Sequence, residues 1–269
     1  MRKVNIKDAI RLLVRTGIET YAQGFQARHE AEVDDPEGTI NMKIHNVFIE
    51  ALGEEIQYYT ALVRSLDSSL GTALEKLAIN IARLTFEVKQ DVEGPLAPEQ
   101  TSMIADLLES YKSRQRKPAV EDYQVLRAPK YKSSGLLKRH DSDYYLIDKN
   151  TNNHYLIELK IGGDLDNKKA RSENEAILEQ FAILSNVLPP ATDIRIFFAT
   201  AYNRFGENKY WGQERVRQFF ANEELLIGKD FWNFICRSDD GYDVVLKAYR
   251  DNAYLITDAL KAIKKVYLG

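Results

Sequence analysis

The chain has 269 residues, 44% hydrophobic and 29% charged, with a formal net charge of −3 and one cysteine. That is room for one large or two modest domains at roughly 150 residues each, with the composition of an ordinary soluble globular protein. A single cysteine excludes an intramolecular disulfide and an all-cysteine zinc site. The absence of a signal-peptide core, or of an apolar run near the roughly 18 residues of a membrane span, makes the cytoplasm the expected location.

Apolar residues at helical spacing (Ile6, Ile10, Leu13, Val14, Ile18, Tyr21) predict an amphipathic helix over residues 5–28. The acidic stretch 30–38, with Pro36 and Gly38, reads as a loop, and 41–66 as a second helix. Ser65 to Gly71 looks like a break, after which Ser68 or Ser69 would cap a helix over 73–88. Glu75 would then sit in a first turn, where the helix dipole favours a carboxylate. Residues 93–98 (EGPLAP) read as a loop and 98–111 as a further helix. Helices thus dominate to about residue 115, and strands are expected only beyond it. The domain reading follows: a mainly helical region over 1–115 and a region of mixed strands and helices over 116–269.

Charge is unevenly spread. Lys112, Arg114, Arg116, Lys117, Arg127, Lys130, Lys132, Lys138 and Arg139 face only Glu121 and Asp122 within 112–139. A solvated linker has this composition, and so does a phosphate-contact surface. Next come Tyr144 to Ile147 and Tyr155 to Ile161, two runs rich in aromatic and aliphatic side chains, separated by the turn formers of 148–153, which predicts a β-hairpin. On the second strand Glu158 and Lys160 share one face, opposite Ile157, Leu159 and Ile161. A helix is expected over 172–188, stopped by Pro189-Pro190, then a buried strand 193–201 and a helix 213–221. Hairpin, helix, strand, helix is the order of an α/β/α sandwich. Asn203 and Arg204 follow the strand end, where they suit either base readout or a plain polar turn. The Phe231-Trp232-Asn233-Phe234 segment is aromatic enough for core or dimer contact.

Glu-x-Lys occurs three times, at Glu87, Glu158 and Glu207, so the tripeptide alone discriminates little. Only the Glu158 copy lies in an apolar strand, where an unpaired charge is expensive. Asp141 and Asp143, at the entry of the first hairpin strand, can come close across from Glu158 or Lys160. Two carboxylates with a backbone carbonyl are hard oxygen ligands suited to Mg²⁺, and a neighbouring lysine can orient or deprotonate the attacking water and offset charge at phosphorus. Ion pairs on a solvated sheet face account for the same residues about as well.

The strings RHDSDYYLID and YLIELKIGGDLDNKKARSENEA, with RSLDSSLGTALEKLA upstream, resemble type II restriction endonucleases of the TdeIII family, within the PD-(D/E)xK nuclease superfamily. The likeness runs over most of the chain. It implies a mixed α/β (α+β) catalytic nuclease core with flanking helices over 116–269, and a helical N-terminal region over 1–115 that serves support, dimerisation or DNA contact. It also implies Mg²⁺-dependent cleavage of double-stranded DNA at a short near-palindromic site of the GGNCC kind, by a homodimer whose host makes a cognate methyltransferase. Carried over by residue, Glu158 and Lys160 match the Glu-x-Lys pair and Asp143 the first aspartate. The family's proline is missing, so Asp141 stays open as the ligand. In related nucleases a glutamate on an early helix reaches the metal, a role that would fall to Glu75. Lys138, Arg139, Lys168, Lys169 and Arg171, close in sequence to the site, are candidates for phosphate or base contact, as are Asn203 and Arg204.

Overall fold

The structure is a computed structural model and describes residues 5–127 and 136–269; Lys130 and Lys132 of the basic run lie outside the described residues. The chain divides into two compact units, Met1–Asn80 with Asp243–Gly269, and Ile81–Tyr242.

The first unit is helical. α1 (Ile6–Ala31) buries Ile10, Val14, Ile18, Ala22 and Phe25 along one stripe, and Asn5 caps it by accepting from Lys7 N–H at 3.1 Å. A 3-10 turn (Asn41–His45) and the short α2 (Val47–Glu50) lead into α3 (Glu54–Ala82). The expected break at 65–71 is absent. Ser69 does not cap a helix; its hydroxyl donates to the Ser65 carbonyl at 2.7 Å and meets the Tyr21 hydroxyl at 2.9 Å, so the polar run is satisfied inside one continuous helix. Glu75 is therefore mid-helix, not in a first turn.

The second unit carries a mixed five-stranded sheet in the order β1-β2-β3-β4-β5. Its strands are β1 (Phe86–Leu96), β2 (Leu136–Asp148), β3 (His154–Leu159), β4 (Ile194–Thr200) and β5 (Leu225–Ile227). β1, β2 and β3 pair antiparallel, while β3, β4 and β5 pair parallel. The hairpin is present, its turn held by Asp148, which accepts from Asn150 N–H at 2.8 Å. β1 overturns the expectation that strands begin only after residue 115. Gly94-Pro95 lies inside it, at the sheet edge, where the missing proline N–H is tolerated. A Cβ on Gly94 would come within 2.7 Å of Val187 and 2.9 Å of Ile183, so the glycine admits a packed helix and makes no turn.

That helix is α5 (Asn167–Val187), capped by Asp166 through Lys169 N–H at 2.8 Å; it crosses one face of the sheet from β3 to β4. Together with α4 (Pro98–Lys112) it buries Ile104, Leu108, Ile177, Phe181 and Leu184 against Leu156, Ile196 and Phe198. The expected helix at 213–221 is reduced to α6 (Glu214–Arg217), because Phe219 and Phe220 both turn into this core. The opposite face is covered by α7 (Lys229–Cys236), whose Phe231 meets Tyr144 edge to face and whose Phe234 stacks on Phe86 and meets Tyr155 edge to face. The Phe231–Phe234 aromatics are thus core within the subunit. The sandwich inferred from element order is the observed architecture. α8 (Gly241–Asn252) and α9 (Tyr254–Leu268) complete the chain. Among the described residues no helix is long and apolar enough to cross a membrane.

One buried carboxyl in this core makes folding pH-dependent. Glu224 Oε2 accepts from Ala221 N–H at 2.8 Å, and the carboxyl also meets the Tyr123 hydroxyl. Burial pushes its pKa from 4.5 up to about 7. The folded chain then holds the proton more tightly than the unfolded one, so this contribution favours folding at low pH. It is lost as pH rises through the 4.5–7 window, a change on the order of 3 kcal/mol. Thermal melts at the two ends of that window should show Glu224→Gln gaining on the parent at the alkaline end. Parallel pH profiles for the two proteins would refute this.

Candidate active site

β3 is buried along its whole length on both faces, so Glu158 does not stand on a solvated sheet face. It is 8% exposed, on the side of the sheet that α5 covers. The surface ion-pair reading needs a wet face and loses its basis here.

Asp143 is brought in by an irregularity in β2. Lys89 pairs with Tyr145 and Asp91 with Asp141, so Ser142, Asp143 and Tyr144 stand opposite Gln90 alone. Such a bulge re-aims side chains. The β2–β3 ladder ends at Tyr144 and Ile157, and beyond it the two strands part. Asp143 sits at this fork, and its Oδ2 accepts from Leu159 N–H at 3.1 Å. On an extended strand the N–H and C=O of one residue point to the same side, so the Leu159 carbonyl also faces the fork.

Lys160 completes the cluster. Its Nζ forms a close ion pair with Glu158 Oε1, lies 3.9 Å from Asp143 Oδ2, and 3.3 Å from Glu173 Oε1 on α5. Three carboxylates thus surround one ammonium. Burial raises Glu158 above the ordinary carboxylate range, reinforced by the Asp143 charge and only partly offset by Lys160. Burial works to lower Lys160, but Glu158, Asp143 and Glu173 together outweigh it and hold the amine above its ordinary value. In the metal-free cluster the amine is a charged hydrogen-bond donor to its carboxylate neighbours.

The cluster carries more negative than positive charge at a point where the strands open. This is the donor chemistry of a hard divalent cation, which accepts one or two carboxylates and keeps waters on its remaining positions. Among the described residues no three His, Cys, Asp or Glu side chains close into a ready-made ligand group. Asp143 and Glu158, with the Leu159 carbonyl, fit such an ion as a partial set completed by water.

The other predicted residues are distributed as follows. Asp141 is exposed and pairs across from Asp91 in β1; the acid that touches Lys160 and Leu159 is Asp143. Glu75 is carried by α3 in the first unit. Lys138 Nζ binds Glu179 Oε2 at 2.5 Å, with His140 Nε2 2.8 Å from the same oxygen, and Arg139 pairs with Asp91 at 3.0 Å. Lys168 and Lys169 are exposed in the first turn of α5, and the Arg171 Nε is buried without a hydrogen-bond partner. Asn203 is occupied by its own turn, accepting from Phe205 N–H at 3.0 Å and donating to the Lys209 carbonyl at 2.7 Å. Arg204 binds Asp164 at 2.6 Å. In the absence of DNA both side chains are engaged within and beside the turn that follows β4. Glu173 was missed; its signal was a carboxylate two turns into the helix that follows the Glu-x-Lys strand.

The family model of the type II restriction endonuclease HinfI matches residues 3–253. The chain belongs to the HinfI family of type II restriction endonucleases. The motif likeness had named TdeIII; both names point to a type II restriction endonuclease, and HinfI is the family matched over nearly the whole chain. Membership makes the protein a site-specific deoxyribonuclease with DNA as its substrate, in a class that generally uses a divalent metal. No match was found among curated proteins or among solved structures.

Proposed function

We propose that the chain is a Mg²⁺-dependent restriction endonuclease of the PD-(D/E)xK type, with Asp143 and Glu158 as metal ligands and Lys160 beside the attacking water. The observation that carries this reading is the meeting of Asp143, Glu158 and Lys160 at the β2–β3 fork. When bound, Mg²⁺ supplies Lewis-acid polarisation of the phosphate and a more acidic water. The chain's own part is positional. Asp143 and Glu158 would hold the cation at the fork, Glu158 positioned by the buried strand that carries it and Asp143 by the Leu159 N–H that it accepts from. Lys160 Nζ, kept protonated by its carboxylate neighbours, donates to the attacking water and offsets charge gathering on the pentavalent phosphorus. Glu173 holds Lys160 from the α5 side. Cleavage leaves a 5′-phosphate and a 3′-hydroxyl.

The substrate reading is double-stranded DNA with a short near-palindromic site, and the GGNCC kind is the first sequence to test. A homodimer would match the two-fold symmetry of such a site, each subunit cutting one strand. A cognate methyltransferase would protect the host, and the cytoplasm would be the place of action. Digestion of a sequenced plasmid with and without MgCl₂, followed by mapping of the ends, tests the substrate, the metal requirement and the recognition site. Discrete, sequence-determined fragments support it. Dependence on branched or nicked substrate would point instead to a resolvase, repair or transposition nuclease, and metal-independent binding without cutting to a non-catalytic DNA-binding protein.

A further inference from the structure

A basic cleft of about 530 Å³ lies between the end of α4 and the segment around α6, lined by Tyr111, Arg114, Arg116, Lys117, Tyr210 and Arg217 among others. Its cations differ in how they are engaged. Arg116 forms a close ion pair with buried Asp122, and Arg217 lies 4.7 Å from the Tyr210 ring centroid and donates to Asn222 at 2.5 Å. Arg114 and Lys117 are exposed and make no ion pair among the described residues. Glu214, the carboxylate of the lining, is engaged by the Tyr210 hydroxyl at 2.9 Å.

Arg114 occupies a backbone position that sequence normally gives to glycine. Its N–H bonds the Tyr111 carbonyl at 3.0 Å, Gln115 N–H bonds the Ser110 carbonyl at 3.0 Å, and its φ is +59°. That is the left-handed residue of a helix-ending turn, where a side chain is strained and glycine is not. An arginine kept there at the expense of local strain puts a guanidinium beside Lys117 at the cleft. The cleft also connects to the catalytic strand. Its wall at Tyr210 continues to Gln213, which donates to Asp164 Oδ1 at 3.0 Å, and Asp164 lies just beyond Lys160 in the chain.

We propose that this cleft binds a DNA backbone phosphate outside the scission point, with Arg114 and Lys117 as its free donors. The inference rests on DNA being the substrate, not on the roles given to Asp143, Glu158 and Lys160. One neutralised phosphate would contribute roughly 1 to the slope of log affinity against log salt. The test is fluorescence anisotropy with a labelled duplex of about 30 base pairs in EDTA, between about 50 and 200 mM NaCl. The proteins compared are the parent, Arg114→Gly, Lys117→Ala, the double variant, and Lys261→Ala/Lys265→Ala on α9 as a charge-loss control. The double variant should bind at least about tenfold more weakly near 100 mM salt, with a shallower slope, while the control follows the parent. Arg114→Gly should melt no lower than the parent, since glycine suits that φ, so its binding loss is not a folding loss. Parent-like affinity and slope in the double variant would overturn the proposal. A wrong catalytic assignment shows up elsewhere, as continued cutting by Asp143→Ala, and leaves the binding slopes untouched.

Discussion

Glu158→Ala and Lys160→Ala should each bind duplex DNA and cut it at least about a hundredfold more slowly than the parent, the scale expected when a group that stabilises transition-state charge is removed. The two lose rate for different reasons. Without Glu158 one of the two proposed metal ligands is gone, and added MgCl₂ should recover part of the rate. Without Lys160 the ligands remain, but three carboxylates are left with no ammonium among them and the attacking water with no N–H donor, so extra Mg²⁺ should recover little. Glu87→Ala and Lys89→Ala are the controls: the same tripeptide on β1, with exposed side chains 3.4 Å apart, where a surface pair contributes little. Single-turnover cleavage of a supercoiled plasmid measures all four. Full-rate cutting by either Glu158→Ala or Lys160→Ala would end the assignment.

Why the sequence led to this strand is a matter of contrast. A glutamate among Leu156, Ile157 and Leu159 is costly unless it is used, whereas the copies at Glu87 and Glu207 cost nothing in their polar surroundings. The hairpin, β4 and α5 were legible for a similar reason: each is a local run of one periodicity bounded by turn formers. What escaped were features whose cause is distant in the chain. β1 is charged at Glu87, Lys89, Asp91 and Glu93 and interrupted by Gly94-Pro95; it becomes a strand by pairing with β2, and its glycine is explained only by Val187 and Ile183 of α5. The bulge at Ser142–Tyr144 leaves no mark in sequence, although it decides that Asp143, not Asp141, reaches Lys160. Glu173 is an ordinary helix carboxylate until the β3–α5 crossover places it beside the amine. Asn203 shows the same dependence on context, since its side chain bonds its own turn in the absence of DNA.

The segment after Lys160 carries the second large effect. Gly163 N–H bonds the Lys160 carbonyl at 3.1 Å, closing a turn directly on the lysine, and its φ is +64°. A Cβ there would stand 2.6 Å from Thr200 Cγ2 and 2.9 Å from Trp211 Cζ2. Neither can give way easily: Thr200 is fully buried on β4 and Trp211 is 4% exposed in the core. Gly163→Ala thus combines a left-handed backbone that disfavours alanine with overpacking, together about 2–4 kcal/mol of lost stability. The neighbouring Gly162 is a useful comparison. There a Cβ would meet the Tyr202 hydroxyl at 2.7 Å, the far end of an exposed side chain that can swing aside. Gly162→Ala should therefore cost much less. If the Gly163 turn fixes Lys160 at the fork, Gly163→Ala should also slow cleavage more than tenfold at a temperature where it is still folded, since small misplacements of a catalytic group are expensive. Denaturant melts and cleavage assays on the two alanine variants separate these effects, and equal stability for both would mean that the close contacts around Gly163 relax more readily than its packing implies.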